Sequence, residues 1–288
     1  MMRLVNICVI VLIAASIISC SHDIGDDKIE GEEKEIINGL EVNWMRQLPS
    51  EKRETIRQFL LEMVKVEGGT FVMGATQEQS QDARLNEYPA HAVCLSSYYI
   101  CKRETSTSLI NVLWGTSLGK TYTQFTWDDW FTFIKDLRKM TGLDFDFPTE
   151  AQWEYAARGG RESQGYIFAG SNTLSDVWTD KRSDSPSMPN ELGIYNMSDQ
   201  FSEWCKDYYS EYIYALIAKD PCCTAGVWHV LRGGNSNSTH SSNTYRTSKV
   251  VSSTLSDKRD CRVSARGYGN PDNQFKTCRL VININSDK

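Results

Sequence analysis

The sequence predicts a mixed domain of helices and short strands with much irregular backbone, and it does not predict a repeated α/β pattern. Short amphipathic helices carry their own end signals, and they alternate with brief apolar runs that glycine pairs interrupt. The chain also contains 8 tryptophans, several of them in polar, glycine-rich surroundings. No repeat with a period of about 20 to 50 residues indicates a solenoid or a propeller.

The stretch Phe147–Gly160 gives the clearest helix signal in the chain. Thr149 occupies the N-cap position, and Gln152, three residues later, is placed to close a capping box. Gly159 supplies a C-terminal stop, because glycine enters the left-handed backbone region without strain. We therefore predict a short, well-bounded helix here.

Several other stretches predict the remaining regular elements. Thr126 begins a second capped helix, which ends at Gly142. Alternating apolar residues and paired glycines over 63–74 predict a hairpin between two strands, and 92–102 predicts one further strand. A short amphipathic helix follows Pro49.

Residues 1–19 have the features of a lipoprotein signal peptide. Arg3 supplies a positive charge, and the apolar run 4–18 is short for a membrane span. The run ends in a small residue before Cys20, which resembles the bacterial lipobox, where a cysteine is lipidated after cleavage. We therefore predict lipidation of Cys20 and a cell-envelope location, lipid-anchored to a membrane and either periplasmic or surface-exposed.

Composition predicts the domain layout and excludes one class of partner. Residues 20–39 are acidic and poor in aromatic side chains, as in a solvated tether. Residues 40–61 form a short helical lead-in, and residues 62–288 form one domain.

The net charge is −6 and there is no basic patch, so we expect no nucleic-acid partner. Export implies an oxidising compartment, and the odd number of cysteines after Cys20 leaves at least one unpaired within the chain.

Several motifs, taken in order, resemble the formylglycine-generating enzyme (sulfatase-modifying factor) family. They are the stretches 68–74, 147–160, 190–197, 203–204, 231–234, 261–266 and 279–281. The resemblance covers about residues 62–284. It implies one compact α+β domain of the C-type-lectin-like kind, with a small twisted antiparallel sheet, flanking helices and much irregular structure.

The resemblance also exposes a missing metal site. The family's enzymes oxidise a sulfatase cysteine to formylglycine with Cu(I), held by two cysteines spaced C-x-x-x-x-C after the Arg-Gly-Gly turn. Counting forward from Arg232, the matching positions are Ser238 and Asn243; counting back from the later Arg-Val-Ser motif, they are Ser253 and Lys258. Because Cu(I) selects soft thiolate ligands, the departure argues against the family's oxidase chemistry.

A second family feature is a structural calcium ion. The family's Gly-Asn-x-Trp-Glu-Trp loop, which contributes ligands to this ion, corresponds to residues 199–204. In this chain the asparagine and the first tryptophan of that loop are replaced. The resemblance implies calcium near Asn196, Asp199 and Glu203, since calcium accepts varied oxygen ligands. The alternative is a hydrogen-bonded loop that Glu203 holds without an ion.

The cysteines are interpreted as structural. A Cys205–Cys261 disulfide is the first candidate, and Cys222 or Cys223 is a competing partner. One such bridge would stabilise a loop-rich domain by about 2 to 4 kcal/mol.

These features together favour a non-enzymatic role. We predict an envelope-anchored lipoprotein whose domain is a binding or structural module for a glycan, a peptide or an envelope protein, which docks near residues 208–256. Tyrosine among serine, asparagine and threonine suits polar recognition, although solvated insertions without a partner are the alternative. The candidate binding residues are Tyr208, Tyr209, Tyr212, Tyr214, His240 and Tyr245. The alternative function is an oxidoreductase of the formylglycine-generating type with non-standard ligands.

Overall fold

The computed structural model describes residues 33–115, 125–178, 188–199, 201–211, 219–234, 259–274 and 276–284. Backbone proximity groups Glu32–Lys288 into one compact unit. The segment Met1–Gly31, which contains Cys20, lies outside the described residues. Within the described ranges, no helix has the length and apolar character needed to cross a membrane.

The helices begin and end where the sequence places its caps. Thr126 and Asp129 close a capping box, as do Thr149 and Gln152, which confirms both predicted N-termini. Gly142, with φ 69°, ends the first of these helices in the left-handed region. The described helices are α1 (Ser50–Leu61), α2 (Thr107–Trp114), α3 (Trp127–Thr141), α4 (Glu150–Ala157) and α5 (Leu174–Val177).

The strands form four small sheets. They are β1 (Lys34–Ile37), β2 (Leu40–Asn43), β3 (Met63–Val66), β4 (Gly69–Met73), β5 (His91–Leu95), β6 (Tyr98–Cys101), β7 (Phe145–Asp146), β8 (Ser202–Tyr208), β9 (His229–Gly233), β10 (Gly267–Gly269), β11 (Thr277–Cys278) and β12 (Val281–Asn283). The two larger sheets have the orders β3-β6-β12-β7 and β10-β9-β8-β11, and β1-β2 and β4-β5 form two-stranded ribbons. Every pairing between these strands is antiparallel except β11 with β8. The predicted α+β class with small antiparallel sheets is confirmed.

The hairpin predicted over 63–74 is wrong in its pairing. Two strands do form there, but β3 pairs with β6 and β4 pairs with β5. Gly68 lies between them, where an added Cβ would lie 2.3 Å from the carbonyl oxygen of Leu95. The single strand predicted over 92–102 is divided in the same way, because β5 and β6 belong to different sheets.

The N-terminal boundary also differs from the prediction. β1 lies within the range 20–39 that was expected to be a solvated tether, and β2 lies within the expected helical lead-in. The side chains of Ile37, Val42 and Trp44 are buried in the main apolar core. These residues therefore belong to the folded unit, because their apolar side chains are needed to cover its core.

The sheet β3-β6-β12-β7 separates two apolar cores. Along β6, Tyr99 and Cys101 pack with α1 and α3, whereas Tyr98 and Ile100 pack with α4 and β5. This alternation is the period of two that a strand imposes on its side chains. Both faces of the sheet are therefore covered, which explains why all four residues of β6 are buried.

Helix α4 is the centre of a buried network of charges. The Arg232 Nε lies 2.9 Å from Glu150 Oε1, and its Nη2 lies 2.6 Å from Glu154 Oε2. The Arg266 Nη2 lies 2.7 Å from the second oxygen of Glu150. Burial raises the pKa of Glu150, but the charges of Arg266 and Arg232 outweigh it and hold that pKa below its ordinary value. Glu150 is therefore ionised and fully paired in the interior.

We predict that breaking this network costs much more stability than breaking a surface pair. Arg232→Met removes the charge and leaves Glu150 and Glu154 buried with fewer partners, so the free energy of unfolding should fall by about 3 to 5 kcal/mol. Urea denaturation measures the change. The matched control is Lys34→Met, which breaks the exposed Lys34–Glu41 pair and should cost less than about 1 kcal/mol. Equal losses in the two variants would contradict this prediction.

Candidate functional site

The structure separates the two predicted binding tyrosines that it describes. Tyr208 stacks on the His229 ring, with centroids 4.2 Å apart, and Trp127 covers the same histidine at 4.0 Å. Tyr209 contacts a different ring, Tyr268, at 4.6 Å. Neighbouring residues leaving a strand point in opposite directions, so the pair does not form one surface.

Tyr212, Tyr214, His240 and Tyr245 lie outside the described residues, as do Ser238 and Asn243.

Tyr209 belongs to a group of three rings that we call the aromatic platform: Tyr209, Trp228 and Tyr268. The Trp228 and Tyr268 rings stack nearly parallel, with centroids 4.8 Å apart and an interplanar angle of 14°. Trp228 is 44% exposed, and the adjacent Val227 is 74% exposed. The platform therefore presents an indole to solvent on a backing of two half-buried tyrosines.

Backbone and side-chain contacts hold the platform in place. The Tyr209 N–H donates to the Trp228 carbonyl at 2.7 Å, and the amide of Asn86 donates to the Tyr209 hydroxyl at 2.9 Å. The Arg266 guanidinium lies 5.1 Å from the centre of the Tyr209 ring. Because Arg266 is itself paired with Glu150, the platform is connected to the buried charge network.

Sequence reasoning found Tyr209 but missed Trp228 and Tyr268. The available signal was the apolar pair 227–228 directly before a strand. Its exposure depends on the antiparallel pairing of β9 with β10, which aligns Val230 with Tyr268 and joins segments far apart in the chain. A local pattern cannot supply that pairing.

The three predicted calcium ligands lie around one buried arginine. Glu203 accepts from Arg279 at 2.8 Å and 3.0 Å and from the Trp153 indole at 2.7 Å, so both of its oxygens have partners. The Asn196 amide donates to Glu104 at 3.2 Å. In the described part of the chain, no group of three or more histidine, cysteine or acidic side chains is positioned to hold a metal ion.

Asp199 is the one predicted ligand with an open oxygen. Its Oδ1 accepts from the Phe201 N–H at 2.7 Å, while its buried Oδ2 has no hydrogen-bond partner. Burial, together with the negative charge of Glu104, raises the pKa of Asp199 well above its ordinary value. The arrangement therefore fits calcium only in part. Asp199 offers an oxygen to an ion, whereas the charge of Glu203 is already balanced by Arg279.

The predicted Cys205–Cys261 disulfide is not formed. Both residues are buried outside any disulfide, and the Cys261 thiol donates to the Asp199 carbonyl at 3.5 Å. Cys205 packs in the core beside α4, whereas Cys261 packs with Phe168 and Val177 in a separate small cluster. The two side chains thus belong to different apolar clusters, and burial raises the pKa of Cys205 well above its ordinary value.

Asp207 is a buried carboxylate that the sequence did not single out. Its two oxygens accept from the N–H groups of Glu150, at 2.8 Å, and Cys223, at 2.9 Å. Burial and the negative charge of Glu150 nevertheless raise its pKa to about 7. Asp207 therefore changes its charge near neutral pH.

We predict that Asp207 makes the stability of the protein fall as the pH rises. Its folded pKa lies above the ordinary value of about 3.9, so the folded state binds this proton more tightly than the unfolded state. The resulting stabilisation is complete below about pH 4 and is lost as the pH rises through about 7; it amounts to at most about 4 kcal/mol. Denaturant unfolding at a series of pH values measures it. Asp207→Asn should remove this component, whereas Asp272→Asn, at an exposed position, should keep it; an unchanged pH slope in Asp207→Asn would overturn the assignment.

Two cavities of useful size lie away from the platform. One, of about 260 Å³, is lined by residues that include Phe59, Arg103 and Thr105. The other, of about 520 Å³, is a polar groove whose lining includes Gln152 and Lys206. Neither is lined by Trp228 or Tyr268, so the platform is a surface and not the wall of these cavities.

Comparison with known proteins connects this fold to a family. The model of the sulfatase-modifying factor enzyme 1-like domain matches residues 120–278, more than half of the chain. The chain is 28% identical over 229 residues to the serine/threonine-protein kinase pkn1 of Chlamydia pneumoniae, covering 66% of this chain and 35% of that protein. It is 34% identical over 109 residues to the formylglycine-generating enzyme of Streptomyces coelicolor, covering 31% and 35%.

The sequence matches and the structural match support different conclusions. The chain spans about a third of the length of the curated relatives that it matches, so their named activities remain statements about those proteins. PvdO from Pseudomonas aeruginosa has a similar structure, with a TM-score of 0.59 and 16% identity over 77% of this chain and 94% of that one. At this identity the likeness supports the fold alone.

Proposed function

Because this chain belongs to the sulfatase-modifying factor family, we propose that it uses the family scaffold as a binding or structural module and does not oxidise cysteine. Its ligand is a glycan, a peptide or an envelope protein, bound at the aromatic platform. The observation that carries the proposal is the exposure of Trp228, stacked on Tyr268, beside the exposed Val227. Exposed large apolar side chains held by a firm backing are typical of a recognition surface.

The residues at the family's copper positions support a non-oxidase role. Ser238 and Asn243 stand where the resemblance places the two thiolates. Cys261, the next cysteine after these two positions, is buried and packs with Phe168 and Val177. The alternative is an oxidoreductase of the formylglycine-generating type with non-standard ligands, because two matched relatives have that name.

A copper titration tests the proposal. The purified chain from Ser21 onward should show no tight binding of Cu(I) and should yield no aldehyde from a sulfatase-derived cysteine peptide under oxygen, since hydroxyl and amide groups are poor Cu(I) ligands. Competition with a Cu(I) chelator and mass spectrometry of the peptide are the measurements. Tight binding of Cu(I), or any aldehyde product, would contradict the non-oxidase proposal.

A gain-of-ligand variant is the matched control. Ser238→Cys combined with Asn243→Cys restores two thiolates at the family positions and should bind Cu(I).

Calcium is tested in the same preparation, because Asp199 has an open oxygen. Heat on addition of Ca²⁺ in the wild type that is absent in Asp199→Asn would support a calcium site there, and no heat would contradict it.

The location in the cell envelope is part of the proposal. We infer that the chain is anchored to a membrane through a lipid on Cys20. Cys20→Ala should move the protein from the membrane fraction to the soluble fraction, because the acyl chains supply the anchor. Fractionation followed by immunoblotting measures this. Cys94→Ala, at an exposed free thiol, is the control and should stay with the membrane; membrane retention of Cys20→Ala would count against lipidation.

A further inference from the structure

The platform has the geometry of a preorganised binding site. Three rings are fixed at one end of the sheet β10-β9-β8-β11, with Tyr268 in β10 and the other two bordering β8 and β9. Tyr268 contacts both other rings, at 4.8 Å and 4.6 Å. Because the rings already support one another in the unbound chain, a ligand that stacks on Trp228 orders few side chains on binding.

The exposed ring of the platform is the planar indole of Trp228, and the three rings carry no charge of their own. The Trp228 and Tyr268 rings lie nearly parallel, and Trp228 is 44% exposed, so a flat face of the indole is open to a stacking partner. Burial raises the pKa of Tyr209, so its phenol stays protonated and neutral near pH 7. The surface therefore suits a ligand with a flat apolar face and polar edges that remain in water.

Two ligand classes that stack on aromatic rings differ in charge. Nucleic-acid bases stack well, but their phosphates need cationic side chains, and this chain has a net charge of −6. The nearby guanidinium of Arg266 is buried and paired with Glu150, so it does not attract an anion from solvent. A sugar ring has apolar C–H faces and hydroxyl edges and brings no phosphate.

We infer that the aromatic platform binds a neutral saccharide, with one sugar ring stacked on the exposed face of Trp228. This inference rests on the proposed binding function and names its ligand class. Stacking removes apolar area of both partners from water, while the sugar hydroxyls stay hydrated at the edge. The indole N–H and the tyrosine hydroxyls are the hydrogen-bonding groups that the platform can offer.

The test uses the chain from Ser21 onward and short neutral oligosaccharides of hexoses and of N-acetylhexosamines. Isothermal titration calorimetry should show binding to at least one of these probes. Trp228→Ala should weaken it by about tenfold or more, the loss expected for a central aromatic anchor. Trp228→Phe keeps a stacking ring and should retain most of the affinity. Met45→Ala, at another exposed apolar position, is the control and should bind like the wild type.

Envelope material separates failure of this inference from failure of the proposed function. The wild type should be retained by untreated envelope and by protease-digested envelope, and periodate oxidation of the sugars should abolish retention. Retention that protease abolishes and periodate does not would overturn the saccharide while leaving a binding module. No retention on any preparation would overturn both. If the circular dichroism spectrum of Trp228→Ala matches that of the wild type, a loss of binding in this variant is not caused by unfolding.

Discussion

The ion pairing of Glu150 and Glu154 with buried arginines is the interaction on which the rest of this fold depends. Arg232 comes from β9 and Arg266 from the turn before β10, so helix α4 holds both strands through charge. Burying a carboxylate costs free energy unless the carboxylate is paired with a positive charge. A network in which each buried charge has its partner therefore favours one arrangement of these segments. Two further buried arginines among the described residues are paired in the same way: Arg262 with Glu87 and Arg279 with Glu203. These pairs connect described segments that have little regular backbone pairing.

The local features of the fold could be read from the sequence, and the long-range ones could not. The capping boxes at Thr126 and Thr149 involve residues three apart, so the pattern alone predicts both helix starts. The pairing of β3 with β6 is different, because the glycines at 68 and 69 look like a hairpin turn to any local rule. The strand β1 was taken for a tether, since an acidic stretch hides Ile37, the apolar residue of this strand that folds into the core.

The candidate site shows the same division. Tyr209 was found from composition, but its neighbour Tyr208 turns inward to stack on His229, and only the register of β8 decides this. Glu203 was expected as a calcium ligand, yet Arg279 already supplies the positive charge that the carboxylate needs. Asp207 carries no motif at all. Its raised pKa comes from burial beside Glu150, and burial of that kind is a property of the assembled fold.

The order β3-β6-β12-β7 bears on how the protein is made. Its third strand, β12, pairs with β6 on one side and β7 on the other, although most of the domain separates β6 from β12 along the chain. The sheet therefore cannot close until this late strand has been synthesised. Until then β6 and β7 lack their shared neighbour, and the two apolar cores that the sheet separates stay open to each other. Folding of this domain is consequently governed by contacts of high sequence separation.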